Sequence, residues 1–350
     1  ALMFRFNNPD AMLVLLLVGA AYALVRALET ASTRWLLLAW SLVGFGFLAK
    51  MLQALMVAPA FGLVYLLCAP TRFRRRVWQS ALALVALVAS AGWWVAIVEL
   101  WPASSRPYIG GSQDNSVLDL IFGYNGFGRL TGNETGSVGG GGTAGGNGGN
   151  WGPTGWLRLF NSQFGGESSW LIPAALILAI GALAFTIRKP RTDMNRAAVL
   201  LWGGSLFMTG AVISLSQGII HPYYTVALAP SIGATIGIAG YQLWQRRSSI
   251  VARIPIAAAV GVTTWWAYEL LNRTPNWNAG LRMAIVVVGA MSTVSIIALP
   301  LLRHRFATAA VAGAAVFASL AGPTAYSIAT ASQAHTGSIP SSGPAGAARG

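Results

Sequence analysis

The sequence predicts an all-α protein that crosses a membrane about ten times. Of its 350 residues, 55% are apolar and only 9% are charged, and the apolar residues form long runs along almost the whole chain. A membrane-spanning helix needs about 20 mostly apolar residues, whereas an ordinary soluble domain carries about 25% charged residues. The composition therefore excludes a soluble globular fold.

Apolar runs between charged or turn-rich breaks predict ten spans. The second and third spans are separated only by the turn from Lys50 to Gln53, so we expect them to form a tight helical hairpin. Residues 1–330 are thus predicted to form the transmembrane region, and residues 331–350, rich in Gly, Ser and Pro, a flexible outer tail or linker. The predicted spans are 11–28, 35–49, 53–69, 78–98, 169–187, 197–216, 223–243, 254–271, 283–301 and 307–325.

The positions of the basic residues predict the orientation of the chain. Fifteen of the 23 Lys and Arg residues lie in alternate short loops, which the positive-inside rule places in the cytoplasm. The net charge of +14 then reflects anchoring to anionic lipid headgroups, and no nucleic-acid partner is expected. The fifteen residues are Arg26, Arg34, Arg72, Arg74, Arg75, Arg76, Arg188, Lys189, Arg191, Arg196, Arg246, Arg247, Arg253, Arg303 and Arg305.

One long loop, residues 101–168, falls on the opposite, outer side. Its first part combines aromatic residues, Gly and Asn, a composition that suits a sugar or a lipid headgroup and equally an interfacial loop with aromatic anchors. Residues 136–150 contain nine glycines and are predicted to be disordered or very mobile. The substrate candidates in the loop are Arg106, Tyr108, Asn125 and Arg129.

Ionisable and hydrogen-bonding residues beside the apolar runs are candidate functional residues, because burying them in a membrane is costly. Asp10 directly precedes the first predicted span, where helix capping alone would also favour it. Lys50 is the only charge in a long apolar stretch; it suits either phosphate binding or anchorage at the interface. His221 and Tyr224 surround a proline-fixed turn, which an interfacial tyrosine belt would also explain.

The distribution of polar groups favours an enzyme over a channel. The chain contains no P-loop, paired-histidine metal motif or nucleophile elbow. The spans also lack the ladder of charges that ion and proton pathways usually require. Polar groups gather instead on the side of the long loop, which fits an enzyme acting on a lipid substrate at the outer surface. A transporter or lipid flippase and a non-catalytic membrane scaffold remain the alternatives.

Five short motifs occur in order along the chain, on consistent sides of the membrane. Together they resemble the bacterial branch of the protein mannosyltransferase superfamily, and in particular the aminoarabinose-transferase-like integral membrane glycosyltransferases. The motifs are Phe6-Asn-Asn-Pro-Asp-Ala11, Gly44-Phe-Gly-Phe-Leu-Ala-Lys50, Arg106-Pro-Tyr-Ile-Gly-Gly-Ser112, Gly123-Tyr-Asn-Gly-Phe-Gly-Arg-Leu130 and His221-Pro-Tyr-Tyr-Thr-Val-Ala-Leu-Ala-Pro230.

This resemblance implies a GT-C fold like that of glycosyltransferase family 39, in the bacterial cytoplasmic membrane with its active face outward. It also implies transfer of a sugar from a polyprenyl-phosphate carrier to a lipid, cell-envelope glycan or protein acceptor. Similar proteins carry the main catalytic carboxylate in the first outer loop. We therefore expect this chain to be a fragment that lacks that carboxylate. A divalent metal is possible, although the sequence offers no convincing ligand set.

The resemblance also implies roles for single residues. Asp10 matches a second outer carboxylate, an auxiliary group near the acceptor or metal region. Lys50 and Tyr224 match residues that face the phosphate of the donor. His221 departs from relatives with a basic side chain nearby and is a further phosphate candidate. Arg106, Tyr108, Asn125 and Arg129 belong to the family-like loop without an assigned role.

Overall fold

The computed structural model describes residues 2–134, 152–301, 304–335 and 339–344, and in these residues it contains helices but no strand. Nine helical runs of the described residues are long and apolar enough to cross a membrane, which confirms the predicted all-α polytopic fold. The α-helices are α1 Asp10–Thr30, α2 Thr33–Lys50, α3 Ala58–Cys68, α4 Phe73–Leu100, α5 Val117–Phe122, α6 Gly128–Thr131, α7 Gly165–Ser168, α8 Ile172–Ala184, α9 Met194–Leu215, α10 Ala229–Trp244, α11 Ile250–Asn272, α12 Ala279–Ile297 and α13 Arg305–Ser332.

Tighter or wider helical turns link several of these helices. The π-helical turn Gly123–Phe127 joins α5 to α6. The 3-10 segments are Leu2–Phe4, Met51–Val57, Ala103–Ser105, Arg158–Phe160, Ser169–Leu171, Pro222–Leu228 and Leu299–Leu301. The glycine-rich stretch predicted at 136–150 lies outside the described residues.

The second and third predicted spans form a hairpin within one 36-residue helical run, Thr33–Cys68, but the hairpin is not tight, because α3 packs along α9 and not along α2. The chain reverses at Lys50, and Met51 adopts a positive φ of 44°. A Cβ added to Gly62 would lie 3.7 Å from the Trp40 ring, a contact that only antiparallel arms allow. The run therefore contains two of the ten predicted spans.

The returning arm of the hairpin is long enough to span the membrane although α3 alone is short. A 3-10 segment rises about 2 Å per residue and an α-helix about 1.5 Å. The seven residues of Met51–Val57 and the 11 of α3 therefore extend over about 30 Å, the thickness of a bilayer core. Pro59 lies in the first turn of α3, where a missing N–H costs little.

The backbone divides into two compact units. The first comprises Asn7–Arg158 and Arg191–Ala227. In this unit α1 packs along α2, α2 along α4, and α3 along α9. Ala20, Ala23 and Ala27 of α1 are buried in its core, and such small side chains let membrane helices approach closely.

A buried polar network fixes the end of the first unit that lies opposite Lys50. The Tyr65 hydroxyl donates to Gln79 Oε1 at 2.8 Å. Gln79 Nε2 donates in turn to the Ala31 carbonyl and to Thr33 Oγ1, each at 2.8 Å. This network ties α3 and α4 to the α1–α2 turn, so the four helix ends keep a fixed register.

The second unit comprises Ala1–Phe6, Leu159–Pro190 and Leu228–Gly350. Its α11 packs against both α8 and α12, and α12 packs against α13. Trp170, Leu271, Ile285 and Tyr326 belong to its core, where the Trp170 and Tyr326 rings meet edge-on at 5.2 Å.

The predicted flexible tail begins inside α13, which continues to Ser332. Further on, Ser342 N–H donates to Glu167 Oε1 at 2.8 Å and Gly343 N–H to Thr330 Oγ1 at 2.7 Å. The described segment 339–344 is thus bonded to the second unit, while 336–338 and 345–350 lie outside the described residues.

Candidate functional site

The centre of the site is an ion pair between the first residue of α1 and the last residue of α2. Because these helices are antiparallel neighbours, Asp10 and Lys50 lie at the same end of the first unit. Lys50 Nζ donates to both carboxylate oxygens of Asp10, at 2.6 and 2.7 Å. The Asp10 side chain is 1% exposed and that of Lys50 16%. Asp10 N–H donates to Asn8 Oδ1 at 3.0 Å, which fixes the start of the helix.

Two tyrosine rings face the Lys50 ammonium. Its Nζ lies 4.1 Å from the ring centroid of Tyr224 and 5.4 Å from that of Tyr223, within the range of cation–π attraction. The His221 ring stacks on Tyr223 at 5.5 Å and meets Tyr224 edge-on at 5.3 Å. The turn in which Tyr224 N–H donates to the His221 carbonyl brings the three rings together.

Arg129, from the long loop, is held by four neighbours. Its guanidinium lies 4.5 Å from the Tyr124 ring centroid. One terminal nitrogen donates to the Ile219 carbonyl at 3.1 Å, and the other to Asn125 Oδ1 at 3.3 Å. Glu134 Oε1 lies 3.4 Å from the same guanidinium. Arg129 is therefore fixed in direction rather than free to sample solvent.

The loop that carries Arg129 is bonded directly to the loop that carries His221. Gln217 N–H donates to the Leu130 carbonyl at 3.1 Å, and Gly218 N–H donates to the Arg129 carbonyl at 2.9 Å. A Cβ on Gly218 would lie 2.5 Å from Glu134 Oε1 and 2.7 Å from the Gly128 carbonyl oxygen. Only glycine allows this approach of the two backbones. We call Asp10, Lys50, Arg129, His221, Tyr223 and Tyr224 the Lys50 cluster.

Burial and positive neighbours set the protonation of the cluster's histidine. Burial lowers the pKa of His221 below its ordinary value, and the charges of Arg129 and Lys50 lower it further. The imidazole is therefore neutral at pH 7. Burial raises the pKa of Glu134, against the opposing effects of the Ile219 amide and Arg129. The cluster thus combines two cations, one carboxylate, a neutral imidazole and two phenols.

The structure places the other loop candidates elsewhere in the first unit. Asn125 contacts the cluster indirectly, since it accepts from Arg129 and its Nδ2 lies 3.3 Å from Met51 Sδ. Arg106 instead donates to Glu99 Oε2 at 3.1 Å and to the Trp101 carbonyl at 3.0 Å. Tyr108 is 83% exposed. Arg106 and Tyr108 are therefore separate from the Lys50 cluster.

Four residues of the site and its support escaped the sequence reasoning. Tyr223 was part of a quoted motif, but only the fold shows that its ring faces Lys50. Tyr124 and Glu134 hold Arg129, and an acid five residues after an arginine was a weak signal. Arg158 is 2% exposed and donates to the carbonyls of Gly152, Pro153, Ile213 and Ser216, which ties the loop to the end of α9.

The site offers few side chains that could bind a metal ion. Across 2–134, 152–301, 304–335 and 339–344, no group of three or more His, Cys, Asp or Glu side chains is close enough to hold a metal ion. The described residues therefore offer no ligand set for the divalent metal considered from the sequence. The single cysteine, Cys68, is a buried free thiol at the end of α3.

Comparison with known proteins confirms the resemblance seen in the motifs. Residues 1–95, which include Asp10 and Lys50, match the family model of dolichyl-phosphate-mannose-protein mannosyltransferases. The chain is also similar to two proteins of Bacillus subtilis (strain 168). It is 29% identical to "Putative mannosyltransferase YkcB" over 377 residues, covering 84% of this chain and 52% of that protein.

The second relative gives the same result. The chain is 32% identical to "Putative mannosyltransferase YycA" over 312 residues, covering 68% of this chain and 45% of that protein. The chain thus spans about half the length of the curated relatives it matches. No solved structure matches it.

Proposed function

Because the chain is similar to membrane mannosyltransferases, we propose that it forms part of an integral membrane glycosyltransferase. The donor is a sugar linked to a polyprenyl phosphate, and mannose is the first sugar to test. The observation that carries this proposal is the Lys50 cluster, in which cations and phenols converge at one end of the membrane helices. Its two central charges lie in the segment that matches the mannosyltransferase family.

The chemistry of the leaving group supports this use of the cluster. Transfer breaks the bond between the anomeric carbon and the phosphate oxygen, and a new bond forms from that carbon to the acceptor oxygen. The acceptor's proton passes to a base, and polyprenyl phosphate departs with the bonding electrons. Negative charge grows on the phosphate as the bond breaks. Lys50 supplies a cation and Tyr224 a hydroxyl donor. Both lie where water is largely excluded, so they stabilise the growing negative charge more strongly than they would in water.

Within this proposal Asp10 serves to position Lys50. Both of its carboxylate oxygens are occupied by the Lys50 ammonium, and its side chain is almost fully buried. An ammonium has three protons, so Lys50 retains one donor for a phosphate oxygen while Asp10 holds the other two. The base that accepts the acceptor's proton is not assigned among the described residues.

The proposed site faces the outside of the bacterial cytoplasmic membrane. The support is the sequence: the loops at the opposite helix ends carry most of the basic residues. A carrier of this kind keeps its polyprenyl chain in the bilayer and presents its phosphate and sugar at the surface. The acceptor is then a lipid, glycan or protein of the cell envelope.

The experiment is a transfer assay with the complete gene product in proteoliposomes. The donor is polyprenyl-phosphate mannose with a radiolabelled sugar, and the acceptor is a cell-envelope fraction. We expect label to move to the acceptor, and Lys50→Gln to slow the transfer at least about 100-fold. The matched control is Lys189→Gln, because Lys189 is the chain's other lysine and is exposed.

The same vesicles distinguish the alternatives. Carrier that crosses the bilayer with no sugar transferred would establish a flippase instead. Equal transfer by the Lys50→Gln and unsubstituted proteins would remove Lys50 from the phosphate site. Folded protein with neither transfer nor carrier movement would leave the scaffold as the better explanation.

A further inference from the structure

A groove of about 570 Å³ lies between α11 and α12, entirely within the second unit. One of its walls comes from Gly261, Thr264, Trp265 and Tyr268, which follow one face of α11 at helical spacing. The groove belongs to two membrane-spanning helices, and Trp265 in its wall is 58% exposed. It is therefore open to the surroundings of the helices.

The lining of the groove is mostly apolar, although it contains two threonines, Thr264 and Thr293. Thr264 Oγ1 donates to the Val260 carbonyl and Thr293 Oγ1 donates to the Gly289 carbonyl, both at 2.8 Å. Because both hydroxyls already have partners within their own helices, neither threonine leaves an unpaired hydroxyl hydrogen in the groove. Gly261 and Ala290 leave room between the helices. A hydrocarbon chain is the matching occupant.

The length of the groove matches one leaflet of a bilayer. On α12 its lining runs from Met283 to Val294. Eleven residues of α-helix rise about 16 Å, close to half of the bilayer core of about 30 Å. A lipid tail of a single leaflet would therefore lie along the whole groove.

Arg282 lies at the end of the groove that Tyr268 and Met283 line. The Arg282 guanidinium is 5.8 Å from the Tyr268 ring centroid and donates to Asn272 Oδ1 at 3.0 Å. Its Nε is buried without a hydrogen-bond partner, and among the described residues Arg282 forms no ion pair with a carboxylate. Within the described residues no carboxylate therefore pairs with Arg282, which lies in the first turn of α12, next to a loop that the sequence places on the outer side.

We propose that this groove binds an anionic phospholipid, with one acyl chain between α11 and α12 and the phosphate at Arg282. The acyl chain would then contact the apolar wall of the groove, and the anionic headgroup would contact the Arg282 guanidinium. Tyr268 adds an aromatic body and a hydroxyl at the level where membrane proteins place tyrosine. The site is independent of the glycosyltransferase proposal, because it uses no residue of the Lys50 cluster.

The test uses lipids that carry bromine on the acyl chain and quench nearby tryptophans. The complete gene product is reconstituted in vesicles with brominated phosphatidylglycerol or brominated phosphatidylcholine. The difference in quenching between the unsubstituted protein and its Trp265→Phe variant isolates Trp265. We expect phosphatidylglycerol to associate at Trp265 about five times more strongly than phosphatidylcholine, the effect of one basic side chain near a membrane surface.

Variants separate the headgroup site from the groove. Arg282→Gln should equalise the two lipids, and Arg282→Lys should keep the preference. Arg74→Gln, which removes an exposed arginine of the first unit, should also keep it. Ala290→Phe should reduce quenching by both lipids because the ring fills the groove.

Equal quenching by both lipids in the unsubstituted protein would overturn the proposal. A preference that survived Arg282→Gln would do the same, since the charge would then act elsewhere. If unbrominated polyprenyl phosphate, added in equal amount, removed the quenching by phosphatidylglycerol, the occupant would be the carrier and not a phospholipid.

Discussion

Arg106 and Arg129 belong to the same loop but hold different parts of the first unit. Arg106 donates to Glu99, Trp101 and Asn115, all within ten residues along the chain. Arg129 donates to the Ile219 carbonyl, 90 residues away, and its charge acts on the half-buried His221. The first arginine closes a local loop, whereas the second brings distant segments together. Long-range contacts, and not composition, therefore distinguish the half of this loop that belongs to the proposed site.

The largest expected effect comes from the cation that this half of the loop faces. We expect Lys50→Gln to lower turnover about 100- to 1,000-fold, the usual cost of removing one group that stabilises a developing negative charge. The transfer assay with radiolabelled donor measures it. Turnover within a few-fold of the unsubstituted protein would show that Lys50 only anchors the helix end.

A double variant separates stability from chemistry at this pair. Removing one partner of a buried ion pair costs about 3–5 kcal/mol, whereas removing both costs much less. Lys50→Gln combined with Asp10→Asn should therefore have a larger free energy of unfolding than either single variant, while its turnover stays as low as that of Lys50→Gln. Chemical denaturation in detergent, followed by circular dichroism, gives the comparison. A double variant as unstable as the sum of the singles would show that the two side chains do not interact.

The direct contrast between the two arginines gives the next largest effect. Hydrogen bonds to charged groups are worth about 1.5–3 kcal/mol, so Arg129→Gln should lower kcat/KM about 10- to 100-fold. Arg106→Gln should leave kcat/KM within about three-fold, because its contacts are local and partly exposed. Equal losses in the two variants would erase the distinction between the halves of the loop.

The sequence predicted the fold more completely than the site. Membrane spans follow from length and apolarity, which are properties of the chain itself, and the hairpin at Lys50 followed from the shortness of its turn. Asp10, Lys50, His221 and Tyr224 were found because polar groups at span ends are unusual. The sequence did not predict that Asp10 and Lys50 form an ion pair, because the two residues lie 40 positions apart along the chain.

The loop shows why the remainder could not be predicted. The sequence does not distinguish the four substrate candidates in the loop, because their neighbours in sequence are similar. These candidates are Arg106, Tyr108, Asn125 and Arg129. Arg129 differs from the others because the backbones of two loops meet beside it, an approach that depends on Gly218 and on the half-buried carboxylate of Glu134. Glu134 lies beyond the quoted motifs, and its N–H partner, Ile219, is 85 residues away.

We expect a smaller effect from adding a methyl group at Gly218, where its loop meets the loop that carries Arg129. In Gly218→Ala the new methyl group would lie 2.7 Å from the Gly128 carbonyl oxygen, so the two loops must separate. We expect the free energy of unfolding to fall by about 1–3 kcal/mol, which is typical of overpacking. We also expect kcat/KM to fall several-fold, because Arg129 moves with the loop. Gly92→Ala is the matched control, because nothing lies within 4 Å of its added carbon. Equal behaviour of the two variants would mean that the loop approach is not tight.

The smallest effect is a change in pH dependence, and it tests whether the charge of Arg129 reaches His221. Burial and the charges of Arg129 and Lys50 depress the pKa of His221. The unfolded chain therefore binds more protons than the folded one in mildly acid solution, so His221 contributes stability above its ordinary pKa that is lost as pH falls. We expect kcat/KM to fall on the same acid side, as a charged imidazole between Arg129 and Lys50 disturbs the Tyr223 and Tyr224 rings. Arg129→Gln should move this limb to higher pH, whereas Arg106→Gln should leave it in place, since of these two arginines Arg129 alone acts on the imidazole. An acid limb that ignores both substitutions would assign the titration to a group other than His221.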